Sequence, residues 1–75
     1  MRFTLRQLQV FVAVAQQESV SRAAVLLSLS QSAASTSITE LERQSSCQLF
    51  DRAGKRLSLN ATGRQLLPQA VALLD

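Results

Sequence analysis

Hydrophobic residues recur at helical spacing in the first half of the chain, and each such stretch follows a residue that can cap a helix. Thr4 and Gln7 have the spacing of a capping box, in which each side chain binds the other residue's backbone N–H. The apolar residues that follow recur at helical spacing and predict a first helix over about residues 5–17. They are Leu8, Phe11, Val12 and Ala15. Ser19 or Ser21 can cap a second, shorter helix. Its predicted buried positions are Ala23, Ala24, Leu26 and Leu27.

A third helix, predicted over about residues 31–43, has an exposed face of unusual composition. Ser30 is placed to cap it, and Ala34, Ile38 and Leu41 share one side that suits a protein core. Another side is small, polar and uncharged over an arc of roughly 140°. It consists of Gln31, Ser32, Ser35, Thr36 and Thr39. Because a face in water normally carries Lys and Glu, this composition favours close contact with another polar surface, such as base edges in a DNA major groove.

The second half of the chain predicts a short hairpin and a fourth helix. Residues 51–59 alternate loosely around Gly54, which suits the tip of a turn. The hairpin residues predicted to face the core are Leu57 and Leu59. Asn60 is a good cap for the helix that follows, in which Pro68 can cause a kink. Because its broad apolar stripe still runs where the chain stops, we expect residues 61–75 to be the start of a longer helix and the chain to be a fragment.

Composition narrows the possible functions. The 75 residues suffice for one small domain, and a hydrophobic content of 47% favours a folded chain over a disordered one. The net charge of +3 suits a polyanionic partner without requiring one. With Cys47 as the only cysteine and no His, we expect no disulfide, no zinc cluster or other metal site, and no catalytic residues. No membrane span or signal peptide is evident, which predicts a cytoplasmic protein without membrane contact.

The predicted order of a helix, a helix-turn-helix, a basic hairpin and a longer helix is that of a mainly α winged helix-turn-helix. Over nearly its whole length, the chain also resembles the N-terminal DNA-binding domain of LysR-type transcriptional regulators. The matching motifs are Leu5-x-x-Leu8-x-x-Phe11, Ser19-x-x-Arg22-Ala23-Ala24, Leu27-x-x-Ser30-Gln31-Ser32-Ala33-x-Ser35, Ile38-x-x-Leu41-Glu42, Leu49-Phe50-x-Arg52 and Leu59-x-x-x-Gly63. Each motif alone is weak, whereas their combined order and spacing form a specific signal.

The resemblance implies a winged helix-turn-helix in residues 1–60, with a three-helix core and a two-stranded wing, and the truncated start of a linker and dimerisation helix in residues 61–75. The third helix, about 31–43, would lie in the major groove, and the wing, about 51–59, on the backbone or minor groove. The expected protein is a bacterial, nucleoid-associated regulator that binds double-stranded DNA as a homodimer, possibly as a tetramer at full length, on an interrupted inverted repeat. No cofactor is expected in this domain, and a small-molecule effector only in an absent C-terminal domain.

Candidate contact residues follow from the residue chemistry and the resemblance together. The amide of Gln31 can pair bidentately with adenine, and the base or groove contacts are predicted to be Gln31, Ser32, Ser35 and Thr36. The candidate phosphate or wing contacts are Arg22, Ser30, Thr39, Arg52, Lys55, Arg56 and Arg64. Arg52 has an alternative structural role, an ion pair with Glu42 near the negative end of the third helix. The predicted dimerisation residues are Leu67, Val71 and Leu74.

The chain departs from the family pattern at several turns. Ser45-Ser46 stand where Leu-Gly is usual, Glu18 where glycine is common, Ser32 where a proline is often found, and Asn60 where threonine usually caps. A left-handed conformation at Ser46 would cost about 1 kcal/mol or more.

The alternative function is that of a winged-helix module for protein–protein interaction. It predicts that binding to the partner tolerates salt and that Gln31→Ala has no effect on DNA binding.

Overall fold

The computed structural model describes residues 3–54 and 56–74 and confirms a mainly α winged helix-turn-helix. Its elements in chain order are α1 (Leu5–Gln17), α2 (Val20–Leu26), α3 (Gln31–Ser45), β1 (Phe50–Ala53), β2 (Arg56–Leu59) and α4 (Ala61–Leu74). The helices α2 and α3 form the helix-turn-helix, and the antiparallel β1–β2 hairpin forms the wing. Lys55, a predicted wing contact, lies outside the described residues.

Each helix begins at a polar side chain that caps its first turn. In the predicted capping box, Thr4 Oγ1 accepts the N–H of Gln7 at 3.0 Å and Gln7 Oε1 accepts the N–H of Thr4 at 3.0 Å. The second helix is capped by Ser19 and not by Ser21. The hydroxyl of Ser30 and the amide oxygen of Asn60 accept backbone N–H groups in the same way. The four helix starts are therefore fixed locally, by the residues that the sequence indicated.

The core lies where α1, α2 and α3 meet and is closed by the hairpin. The rings of Phe11 and Phe50 pack edge to face with centroids 5.6 Å apart, which joins α1 to β1. The predicted inner side of α3 is buried: Ala34, Ile38 and Leu41. Together these contacts hold the hairpin against the same core that supports α3.

The prediction that Leu26 is buried is wrong, because its side chain is 60% exposed. Ala23 and Ala24 are buried and Leu27 is partly buried, which centres the inner face of α2 on these three positions. Leu26 lies roughly 100° away from that centre around the helix. The two alanines let the helix pack closely, as expected.

Among the residues that the structure describes, three other than glycine adopt the left-handed conformation at turns: Glu18, Ser28 and Ser46. Ser46 ends α3 with φ 57° and donates its N–H to the carbonyl of Arg43 at 3.2 Å, so it has the geometry that favours glycine. Ser45, in place of a core leucine, turns its hydroxyl back to the carbonyl oxygen of Leu41 at 2.7 Å. The turn is thus formed with serine at the left-handed position, and we expect it to carry strain.

The wing and α4 are joined tightly. Gly54, with φ +64°, lies at the tip of the hairpin as predicted, and Leu57 is buried while Leu59 is half-buried. The carbonyl oxygen of Leu49 accepts the N–H of Asn60 at 3.0 Å. A Cβ on Gly63 would overlap that same carbonyl oxygen and lie 2.7 Å from Cδ2 of Leu59. Only glycine lets the first turn of α4 approach the base of the hairpin this closely.

The C-terminal helix α4 covers one side of the core. Ala70 is fully buried, and Leu66, Leu67 and Leu74 pack partly against the core. Pro68 lies inside the helix, which continues to Leu74. Within the described part of the chain, no helix has the length and apolar character that crossing a membrane requires.

Candidate nucleic-acid interface

The polar face of α3 is open to solvent over its whole length. Its five residues are all exposed: Gln31, Ser32, Ser35, Thr36 and Thr39. The first nine residues of α3, 31–39, include no charged side chain. Short hydroxyl and amide side chains allow a helix to lie close to a partner and to exchange hydrogen bonds with it, and the major groove is wide enough for a helix. This surface can therefore read base edges at close range.

The start of α3 and the wing border one cleft of about 490 Å³. Gln31 and Ser35 line it from α3, Arg52 and Gly54 from the hairpin, and residues 19–21 from the turn before α2 and its start. The cleft brings two candidate base contacts, Gln31 and Ser35, and one candidate phosphate contact, Arg52, onto the same surface. Ser30, the cap of α3, is also exposed, and its hydroxyl lies 3.3 Å from that of Ser32.

Glu42 does not form the ion pair considered for Arg52. Its Oε2 accepts the backbone N–H of Leu49 at 2.8 Å and that of Phe50 at 3.3 Å. The carboxylate is thereby satisfied by two amides at the entrance to β1, and among the described residues the salt bridges involve neither Glu42 nor Arg52. Arg52 is exposed on β1. The cation is thus free of that structural role and available to an external anion.

Arg56, in contrast, has a partner within the domain. Its Nη2 lies 2.5 Å from Oε1 of Glu18, the residue that ends α1, and the two side chains are 73% and 41% exposed. The carbonyl oxygen of Glu18 also accepts the N–H of Leu57 at 3.2 Å. The exposed Arg22 lines the same hollow, of about 350 Å³, as this ion pair. The hollow thus combines two guanidinium groups with one carboxylate.

The remaining predicted site residues lie on α4. Arg64 is exposed and donates from Nη1 to the carbonyl oxygen of Leu59 at 2.8 Å, which holds its guanidinium beside the end of the wing. Of the predicted dimerisation residues, Leu67 and Leu74 are half-buried against the domain's own core, whereas Val71 is 38% exposed. Leu73, which was not among them, is 69% exposed and belongs to the available apolar surface of the helix.

Sequence reasoning missed the structural roles of Glu42 and Glu18. The partners of Glu42 lie seven and eight residues further along, and Arg56 lies 38 residues after Glu18. No periodic pattern connects such residues. One signal for the conformation of Glu18 was present in the sequence. The residue directly precedes Ser19, the cap of α2, at a position where glycine is common in the family, and glycine often marks a left-handed residue.

A helix-turn-helix whose second helix has an exposed, uncharged face, followed by a hairpin bearing arginines, defines the class of winged-helix DNA-binding domains. Residues 5–64 match the family described as "Bacterial regulatory helix-turn-helix protein, lysR family". The chain therefore belongs to the LysR family, and it is a DNA-binding domain of that family.

Transcriptional regulators of similar sequence support the assignment to this family. The chain is 55% identical over all its 75 residues to the HTH-type transcriptional regulator YeiE of Escherichia coli strain K12, of which it covers 26%. Over 68 residues, 91% of the chain, it is 41% identical to the HTH-type transcriptional regulator CitR of Bacillus subtilis strain 168, of which it covers 23%. The chain thus spans about a quarter of the length of these relatives.

Solved structures match the fold closely. The crystal structure of the CbnR_DBD–DNA complex superposes with a TM-score of 0.91 at 30% identity, over 96% of this chain and 83% of that one. The BenM_DBD/benA site 1 DNA complex gives 0.90 at 32% identity, over 96% of this chain and 84% of that one. OxyR of Corynebacterium glutamicum in its oxidized form gives 0.95 at 36% identity, over 100% of this chain and 23% of that one.

Proposed function

We propose that this domain recognises an operator by laying α3 in the major groove, with the uncharged face against the base edges. The observation that carries the proposal is the solvent exposure of Gln31, Ser32, Ser35, Thr36 and Thr39 on a helix whose other side is buried. Gln31 stands at the first position of α3 and offers a donor and an acceptor in one amide, which matches adenine. The hydroxyl groups serve phosphates or base edges, and Thr36 also suits a thymine methyl group.

The wing contributes attraction to the phosphate backbone. Arg52 is exposed beside the cleft that Gln31 also lines, and Lys55 adjoins the tip of the hairpin in the sequence. Arg22, which lines the hollow beside Arg56, and Arg64, held at the end of β2, are further candidate cations. Each neutralised phosphate lowers log affinity by roughly 0.9 per unit of log salt, so binding weakens steeply as the salt concentration rises. A protein–protein module of the same fold would be tolerant of salt.

The domain acts as a dimer that reads two half-sites. Val71 and Leu73 leave apolar surface exposed on α4, next to the half-buried Leu67 and Leu74, and such a stripe favours pairing with a second helix. A two-fold dimer of helix-turn-helix domains requires half-sites in inverted orientation, so the operator is an interrupted inverted repeat. Because the chain spans only about a quarter of its relatives, the effector response and any tetramer belong to a longer protein.

Selection of bound sequences from a random pool of double-stranded DNA tests the proposal directly. Enrichment of one motif, present twice in inverted orientation, is the expected result, and the spacing reports the distance between the two α3 helices. A pool that stays random after several rounds would contradict base recognition. Analytical ultracentrifugation of the wild-type chain and of the Val71→Glu variant tests pairing through α4. We expect a dimer for the wild type and a monomer for the variant, because the new carboxylate lies in the proposed interface. A dimer for both proteins would mean that the pairing surface lies elsewhere.

A further inference from the structure

Glu18 joins the end of α1 to β2 of the wing through both its main chain and its side chain. It ends α1 in the left-handed conformation, with φ 54°. Its carbonyl oxygen accepts the N–H of Leu57 at 3.2 Å, and its carboxylate meets Nη2 of Arg56 at 2.5 Å. The main chain of Glu18 therefore attaches to β2, and its side chain attaches to the residue just before that backbone contact.

These two attachments have different chemical requirements. Any residue supplies the carbonyl oxygen, and glycine would adopt the left-handed conformation without strain. Only an acidic side chain supplies the ion pair with Arg56. Ion pairs as exposed as this one add little to stability because water and salt screen them. A glutamate in the left-handed conformation is therefore better explained by what its carboxylate does to Arg56 than by the stability of the fold.

Arg56 has the properties of a phosphate ligand. Its side chain is 73% exposed. The residue stands in β2 opposite Ala53, next to the turn of the hairpin, and Arg22 lines the same hollow. A guanidinium binds a phosphate as it binds a carboxylate, through paired N–H donors. In the free domain, Glu18 occupies that position and places a negative charge where a phosphate would approach.

We propose that Glu18 limits the sequence-independent attraction of this domain to DNA by pairing with Arg56, so that a phosphate gains Arg56 only in competition with the carboxylate. This inference rests on the proposed function, because it concerns the balance between phosphate and base contacts. Backbone attraction acts at every site of a genome, whereas base contacts act at the operator alone. Glu18 is thus a specificity-determining residue that need not touch DNA.

The test measures the affinity of the 75-residue chain for a random-sequence duplex as a function of salt, for wild type and three variants. In Glu18→Gln, we expect tighter binding by several-fold at low salt and a salt slope steeper by about one unit, the value for one more phosphate contact. Arg56→Gln alone should weaken binding, because it removes a cation and leaves the carboxylate of Glu18 unpaired beside the hollow. The double variant Glu18→Gln with Arg56→Gln should lose the gain, because the gain acts through Arg56.

A matched control is present in the same chain. Glu40 pairs with Arg43 at 3.5 Å, and its side chain is 43% exposed, close to the 41% of Glu18. Glu40→Gln makes the same change in net charge, so an equal gain in that variant would attribute the effect to total charge and overturn the proposal. Unchanged or weaker binding by Glu18→Gln would overturn it as well. Thermal unfolding confirms that each variant is folded at the temperature of the assay.

The failure of this inference can be told apart from the failure of the proposed function. The selected-sequence experiment on the wild-type chain reports whether α3 reads bases. The Glu18→Gln gain is measured on DNA without an operator and does not depend on that result. If wild type binds DNA without sequence preference, the operator proposal fails, while the effect of Glu18 on phosphate attraction is still decided by its own variants.

Discussion

The exposed face of α3 and the wing beside it differ in charge and in how each is held. Residues 31–39 of α3 are uncharged, and the helix is fixed by its cap and by three buried residues on its other side. The hairpin carries Asp51, Arg52 and Arg56. Its position is fixed by hydrogen bonds to Glu18, at the end of α1, and to Glu42, on α3.

Under the proposed function, this difference separates two tasks, base recognition and phosphate attraction, that share one surface. Hydrogen-bonding groups without charge can discriminate among bases, whereas charged groups attract any phosphate. The helix α3 presents the uncharged groups through its cap and the spacing of its apolar residues, which are features of residues close together in the sequence. The charged groups work at the correct position only when the wing is held at a fixed distance from α3. Substitutions in the wing's supports and in the α3 face should therefore have distinguishable effects, described here from the largest to the smallest.

Gly63→Ala should have the largest effect, a loss of about 3 kcal/mol in the free energy of unfolding. The new methyl group would overlap the carbonyl oxygen of Leu49, a backbone atom that cannot rotate away, so either α4 or the hairpin base must shift. Denaturant unfolding followed by circular dichroism measures the loss. The matched control, Thr62→Ala at an exposed neighbouring position, should change stability by less than about 0.5 kcal/mol. Equal stability of the two variants would contradict the close approach at Gly63.

Glu42→Ala should destabilise the domain by about 2–3 kcal/mol, because it leaves the amides of the buried residues Leu49 and Phe50 without an acceptor. Glu42→Gln keeps an acceptor oxygen and should recover part of the loss. The control is Glu40→Ala, on the same helix, whose carboxylate makes only a surface ion pair. Under conditions where all variants are folded, Glu42→Ala should also weaken DNA binding without altering base preference; altered preference would show that Glu42 supports α3 and not only the wing.

Gln31→Ala should relax base preference at one position in each half-site and cost about 1–2 kcal/mol of binding free energy there. The salt dependence of binding should stay as it is, because no charge is removed. Affinities for the selected operator and its single-base variants provide the measurement. Gln44→Ala, at the exposed far end of the same helix, serves as the control and should leave the preference intact. If Gln31→Ala also left it intact, the amide would not be a base contact.

The neighbouring serines at the end of α3 should respond to glycine in opposite directions, by about 1 kcal/mol each. Ser46→Gly relieves a left-handed conformation and should stabilise the domain. Ser45→Gly stands in the helix and should destabilise it, through backbone entropy and loss of the bond from its hydroxyl to Leu41. Differential scanning calorimetry measures both shifts, and a lower melting temperature for Ser46→Gly would show that Ser46 is not strained.

The difference between the two regions also explains what could be predicted from the sequence. Caps and apolar spacing act within four residues, so Thr4, Ser30 and the exposed face of α3 were predicted correctly. The wing was predicted as a hairpin around Gly54, but its supports were not, because Glu42 and Glu18 act on residues of other elements. The error at Leu26 has the same origin: on a helix of two turns, tertiary packing decides which side is buried.

The junction after the hairpin has a mechanical consequence. Asn60 alone separates β2 from α4, and it is tied to the carbonyl oxygens of Gln48 and Leu49, which lead directly into β1. Because Gly63 also packs on this segment, α4 has no room to move independently of the base of the hairpin. We therefore expect a tilt or rotation imposed on α4 to be transmitted to the wing, which under the proposed function contacts the phosphate backbone.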